Sequence, residues 1–363
     1  MDLASLWKTI HDRRPKSKFV NLASKIFFAC LAISFGLIFT YNYFLYTHEY
    51  PPGSYERIAA YEADKVFQTR FLITALANFL IPLIPIFDSF FGWMIPYPMS
   101  YEVVLQMINT LFLAGLLMLM PKLMKALDCS VNPFWTLLTI IPVSWNYIFI
   151  NGYIDGAGLY YPYDIPSLTF FALGTILFAN KKWLFFYPVF ILACLNRESA
   201  CFISMAGFFI LMDLNGSNRN EILVRNKMIL LHVSFQALLW LTSRILLSYA
   251  FRNNPGDFFE EPHSMIDFLL GSDIPGGHWA GNPSWFLTLF AGIWVFPLIF
   301  YRRLTIPSKR FLTVGVIYLF VLIFRSNMME TRVYNELNVI LSASALIAIF
   351  NRSPNLKNKE LHA

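Results

Sequence analysis

The residues best suited to chemistry in this chain are acids and arginines at the edges of long apolar runs. The first group is Tyr61-Glu62-Ala63-Asp64 followed by Phe67-Gln68-Thr69-Arg70. Glu62 or Asp64 can act as a general base, and Arg70 as a clamp for phosphate or carboxylate. Gln68 shares a helix face with Asp64 at i,i+4. A snorkelling arginine beside a solvated acidic turn also accounts for this group. The second group is Tyr160-Tyr161-Pro162-Tyr163-Asp164-Ile165-Pro166-Ser167, preceded by Asp155 among glycines. Tyr161, Tyr163 and Asp164 suit sugar or headgroup binding, while a helix cap within an interfacial aromatic belt explains each of them singly. The third is Asn196-Arg197-Glu198-Ser199. Adjacent Arg and Glu do not face each other on one helix, so each needs a partner elsewhere, in a functional site or in an ion-pair hub holding helices together. The fourth is Glu330-Thr331-Arg332 with Tyr334 and Glu336. It fits a phosphate clamp or a solvated helix start with Arg332 and Glu336 paired at i,i+4. Arg244, deep in an apolar run, is a further candidate unless it snorkels outward.

These groups must be positioned by elements that live in lipid. Of 363 residues, 57% are apolar and 14% charged, with 37 phenylalanines; the mean hydropathy is +0.53. Ordinary soluble domains carry about 25% charged residues, so a water-soluble globule is excluded, and so is disorder. The apolar runs are continuous rather than alternating, which argues against a transmembrane β-barrel. A polytopic α-helical membrane protein remains. Cys30, Cys129, Cys194 and Cys201 form no CxxC pair and suggest neither zinc nor a disulfide framework. His263 and His278 lack a metal-ligand spacing and read as loop histidines. No P-loop, GxSxG elbow, HExxH helix or DNA-binding module is present, so nucleic acid is not an expected partner.

About ten spans are expected, at 24–45, 103–121, 134–152, 165–180, 183–196, 199–213, 229–250, 285–301, 311–326 and 338–350. With both termini cytoplasmic, most of the 28 Lys and Arg residues fall on the inner side, as the positive-inside rule requires. They include Lys122, Lys125, Lys181, Lys182, Arg302 and Arg303. Residues 1–23 form a basic cytoplasmic N-terminus with no cleavage site after the first apolar run, which is expected to stay as a signal anchor. Residues 351–363 form a cytoplasmic tail. The outer side receives a first loop at 46–102, short segments at 153–164 and 327–337, and a loop at 251–284 long enough to act as a lid. The segment 71–96 is apolar, but Pro82, Pro85 and Pro96 break it. One crossing there would invert every later cluster, so it is expected to re-enter or lie in plane. No inverted repeat is visible, which weakens a transporter reading.

This order of parts resembles the polytopic glycosyltransferases of the GT-C type, in an uncharacterised bacterial branch. Glu62-Ala63-Asp64 stands where that family keeps its catalytic acids. The runs Phe67 to Leu72, Tyr163 to Leu168, Asn196-Arg197-Glu198 and Glu330-Thr331-Arg332 are similar to motifs of membrane proteins with this architecture. The resemblance implies an all-α, GT-C-like bundle in the inner membrane of the cell envelope. Its donor would be a polyprenyl-phosphate-linked sugar and its acceptor a glycan, lipid or protein on the outer face. Glu62 and Asp64 would be catalytic. The substrate would be bound by Arg70, Gln68, Tyr161, Tyr163, Asp164, Asn196, Arg197, Glu198, Arg244, Glu330 and Arg332, with a divalent cation as an open question. The layout departs from the family in having no large C-terminal soluble domain. The competing expectations are a lipid-linked oligosaccharide flippase or transporter, an oligosaccharide polymerase or ligase, and a non-catalytic membrane partner.

Overall fold

Each of the ten expected segments overlaps a helix, and the helices stop where backbone chemistry supplies a stop. A computed structural model describes residues 18–83, 85, 101–154, 158–214, 219–257, 287–325 and 334–351. Most of them are helical. Four helices are long and apolar enough to cross a membrane: α1 (Lys18–Tyr46), α2 (Tyr101–Ala126), α3 (Pro133–Ile150) and α4 (Arg219–Ala250). The last turns of α3 belong to a π-helical stretch, Trp145–Ile154. Six further apolar stretches among the described residues are shorter, while Ile306–Arg325 has 20 residues. Asp164–Ala179, at 16 residues, is about 24 Å long, against roughly 30 Å of hydrocarbon. Among the described residues, length and composition together single out four helices as candidate spans. The segment expected to re-enter begins as a short helix, Leu72–Leu80, and turns at Pro82; most of the chain from there to residue 100 lies outside the described residues.

Three helix ends share one device. Tyr61, Asp128 and Lys181 have left-handed φ values of 63°, 57° and 55°. Each is the residue just past a helix, and each turn closes with the paired bonds of a Schellman motif. After Asp164–Ala179, Lys181 N–H donates to Phe178 O and Lys182 N–H to Leu177 O. After α2, Asp128 and Cys129 donate to Lys125 and Met124 in the same pattern. After Tyr55–Ala59, Tyr61 and Glu62 donate to Ile58 and Arg57.

Asp164–Ala179 lies at the centre, buried over nearly its whole surface, as an all-round apolar helix must be. It packs on α2, on Trp183–Asn196 and on Asn335–Phe350. Gly36 of α1 sits against α2 so closely that a Cβ would lie 2.9 Å from Thr110 O. The outer helices are turned inside out relative to a soluble fold. In α4, Leu231, Leu238, Leu241, Ile245 and Leu246 are exposed, whereas Asn226, Gln236 and Arg244 are buried. Polar inward and apolar outward is the pattern a lipid solvent selects. The strand content is one parallel pairing among the described residues, His48–Glu49 with Leu159–Tyr160, which ties the end of α1 to the approach to the central helix.

Candidate functional site

The break between Trp183–Asn196 and Cys201–Leu211 organises the site. Arg197 leaves the helix with extended backbone, φ −158° and ψ 149°. In extended chain, successive side chains point to opposite sides, so Arg197 and Glu198 part company. Arg197 Nη1 donates to Asp164 Oδ1 at 2.8 Å. Glu198 receives a two-pronged bond from Arg70, with Nε to Oε2 at 2.9 Å and Nη2 to Oε1 at 2.6 Å. The turn that carries Arg70 and the 197–198 break, 128 residues apart, are thereby joined. Arg70 Nη1 also donates to Tyr163 Oη at 3.0 Å, and its guanidinium lies 5.1 Å from the Tyr163 ring centroid.

The surroundings hold these groups in place. Asn196 Nδ2 donates to Tyr163 O at 3.0 Å. Asn335 Nδ2 donates to Asp164 O at 2.7 Å and reaches Ser167 Oγ. Tyr161 stacks on Phe67 with centroids 5.4 Å apart and contacts Tyr163. From α4, Trp240 Nε1 donates to Glu198 O at 2.8 Å, and Arg244 donates to Cys194 O. Arg244 is therefore buried and bonded rather than snorkelling. Glu336 accepts from Ser199 Oγ and Tyr318 Oη. It lines a cavity of about 10 Å³ in which Asn196, Arg197, Ser167 and Ser199 face apolar walls that include Phe170, Phe171 and Ile203, room for roughly one water. Three arginines and three carboxylates thus share one end of the bundle.

The two ion pairs differ in access. Arg197 and Asp164 have side-chain exposures of 8% and 1%. Arg70 is 10% exposed, but Glu198 is 37% exposed. The Arg197–Asp164 pair is sealed; the Arg70–Glu198 pair is open on its carboxylate side. A planar guanidinium fork that holds a carboxylate in this way equally fits phosphate oxygens.

The other expected residues lie elsewhere or serve differently. Gln68 is buried, with its amide accepting from Ala63 N at 3.2 Å and donating to Ile58 O at 3.0 Å; it braces the turn rather than facing the site. Glu62 is exposed. Asp64 precedes the short helix Lys65–Gln68 and lies against Gly256, whose added Cβ would be 3.3 Å from Asp64 Oδ2. Among the described residues, no hydrogen bond or ion pair links the Glu62 or Asp64 side chain to the arginine–carboxylate cluster. The chain just after α4 docks on this acidic turn, with Lys65 N donating to Pro255 O at 2.8 Å and Asn254 Nδ2 to Ala63 O at 2.7 Å. Asp155, Glu330, Arg332 and the loop histidines lie outside the described residues.

Sequence reasoning gave no role to Asn335, Tyr318, Trp240 or Glu49, and quoted Ser199 only as part of its run. Asn335-Glu336 opening an otherwise apolar helix was the available signal for the first. Glu49 follows α1 directly and pairs with Tyr160 in the strand register. Burial, then the neighbouring Glu56 and Glu102 carboxylates, push its pKa up to about 7, against a lowering backbone bond at Tyr55. Its Oε1 is enclosed without a hydrogen-bond partner. A carboxyl poised near neutrality is suited to proton transfer. Among the described residues, no three metal-ligating side chains are placed to hold an ion. No family model, curated protein or solved structure matches the chain.

Proposed function

We propose that this chain is a membrane-embedded glycosyltransferase with a ten-span, GT-C-like layout and both termini in the cytoplasm. It moves a sugar from a polyprenyl phosphate to a glycan, lipid or protein acceptor on the outer face of the inner membrane. The observation that carries the reading is the accessible fork of Arg70 on Glu198, beside Tyr163 and next to the acidic turn. In the reaction the acceptor hydroxyl oxygen bonds to the anomeric carbon, and the bond from that carbon to the phosphate oxygen breaks. The hydroxyl proton passes to a carboxylate, and the lipid phosphate leaves with the electron pair. Arg70, released from Glu198, stabilises the charge that develops on that phosphate. Asp64 and Glu62 are the carboxylates nearest in sequence to Arg70. Glu49 is the rival base, because its raised pKa matches proton transfer near neutrality.

Lipid-linked sugars and finished glycans are compared between host cells carrying the wild-type chain, Arg70→Met, Asp64→Asn and Glu49→Gln. Loss of one sugar from the glycan, with its polyprenyl-phosphate donor accumulating, supports transfer. A donor that stays on the cytoplasmic side in the Arg70→Met cells favours a flippase instead. Unaltered glycans in all three variants overturn the reading.

A further inference from the structure

We infer that the opposite end of the bundle holds an anionic phospholipid in a built groove between α1, α2, α3 and the central helix. This inference does not depend on the proposed transferase activity. The groove has a volume of about 980 Å³, at the upper end of what ligand pockets offer. Its chemistry is graded along the helix axes. At one end stand Lys25 and Lys122, with Ser24 and Asn132 beside them. At the other end the walls are Leu111, Phe112 and Leu173. Lys122 and Leu111 are separated along α2 by about 16 Å, so a charged head and an apolar trench lie in series. That matches a phosphate headgroup followed by the upper half of an acyl chain.

The charge is complementary to one class of lipid. Among the described residues, no acidic side chain lines the groove, and neither Lys25 nor Lys122 takes part in an ion pair. Two ammonium groups flanking an apolar trench favour a net-negative headgroup over a zwitterionic one, each lysine near a lipid surface strengthening binding about fivefold. The floor provides the shape. Gly115 lines the trench, and a Cβ there would meet only Thr169 Cγ2, at 3.7 Å. The absence of a side chain at that position leaves space rather than permitting tight helix contact. A chain of methylenes fills such space with dispersion contacts.

The test uses the full chain, purified in a neutral detergent and delipidated. Native mass spectrometry follows titration with dioleoyl-phosphatidylglycerol, dioleoyl-phosphatidylcholine or glycerol 3-phosphate. The expected result is retention of phosphatidylglycerol over phosphatidylcholine, weakened about 25-fold in Lys25→Gln/Lys122→Gln. Gly115→Leu, which fills the trench and leaves both lysines in place, should abolish retention with the thermal midpoint unchanged or raised. Equal binding of the two lipids, undiminished binding in either variant, or displacement by glycerol 3-phosphate alone overturns the inference. A dimer that Gly115→Leu dissociates would assign the groove to a second copy of the chain and overturn it too.

Discussion

Replacing Asp164 by asparagine leaves the Arg197 guanidinium charged, buried and without the carboxylate it bonds directly. At 2.8 Å, the Coulomb attraction of such a pair is about 6 kcal/mol for an effective dielectric of 20. Much of that offsets the desolvation of the two ions. A single-site variant reports the uncompensated charge, which costs about 3–5 kcal/mol when one partner of a buried pair is removed. Asparagine keeps an acceptor near Nη1, so Asp164→Asn should fall near the lower figure, about 3 kcal/mol. Asp164→Asn/Arg197→Met removes both charges and should recover most of the loss. Arg225 supplies the control: it bridges Glu221 and Asp213 with side-chain exposures between 35% and 43%, and exposed pairs contribute at most about 1 kcal/mol. Equilibrium unfolding in mixed micelles, with denaturant titrated against each variant, gives the three values side by side. If Asp164→Asn costs no more than Arg225→Gln, or if the double variant is no more stable than Asp164→Asn, the account of a sealed, mutually dependent pair is wrong.

Arg70→Lys keeps the charge but loses the planar fork; transfer should drop about 100-fold, as when a single charge-stabilising donor is removed, and a drop under threefold in a single-turnover assay would clear Arg70 of contact with the leaving group. Glu49 has its pKa raised from the ordinary 4.5 to about 7, so the native state favours its protonated form across that interval, and stability should be highest on the acidic side and decline as pH rises from about 4.5 to 7. Thermal midpoints of wild type and Glu49→Gln across this range check it: the variant's profile should be flatter, and parallel profiles would refute the shift. An added Cβ at Gly207 would lie 2.1 Å from Phe178 Cγ, so Gly207→Ala should destabilise by about 1–3 kcal/mol through overpacking, measurable by the same unfolding titration; a neutral result would mean that Phe178 has room to yield.

How much of the molecule is legible in its sequence depends on the range of each force. Hydrophobic periodicity and length are local, so the apolar segments were identifiable as helices. The need of Arg197 and Glu198 for separate partners was legible too, because it comes from helix geometry alone. The identity of those partners was not. Arg70 meets Glu198 and Asp164 meets Arg197 only after four segments have packed, and nothing in the neighbouring residues encodes that meeting. Gln68 shows the converse: its place next to Arg70 suggested a ligand contact, yet its amide is spent on backbone groups of its own turn. Glu49 was invisible for a third reason. The residues Thr47-His48-Glu49-Tyr50 carry no motif, and the environment that raises its pKa, burial first and then the Glu56 and Glu102 carboxylates, is assembled by the fold.

The carbonyl of Glu198 is tethered by the Trp240 indole while its carboxylate faces outward to Arg70. An anion arriving from solvent can therefore take over the guanidinium by swinging one glutamate side chain aside, leaving the main chain anchored. Exchange of one oxyanion for another at Arg70 would then require breaking the two bonds to Glu198, with no movement of the main chain that Trp240 anchors.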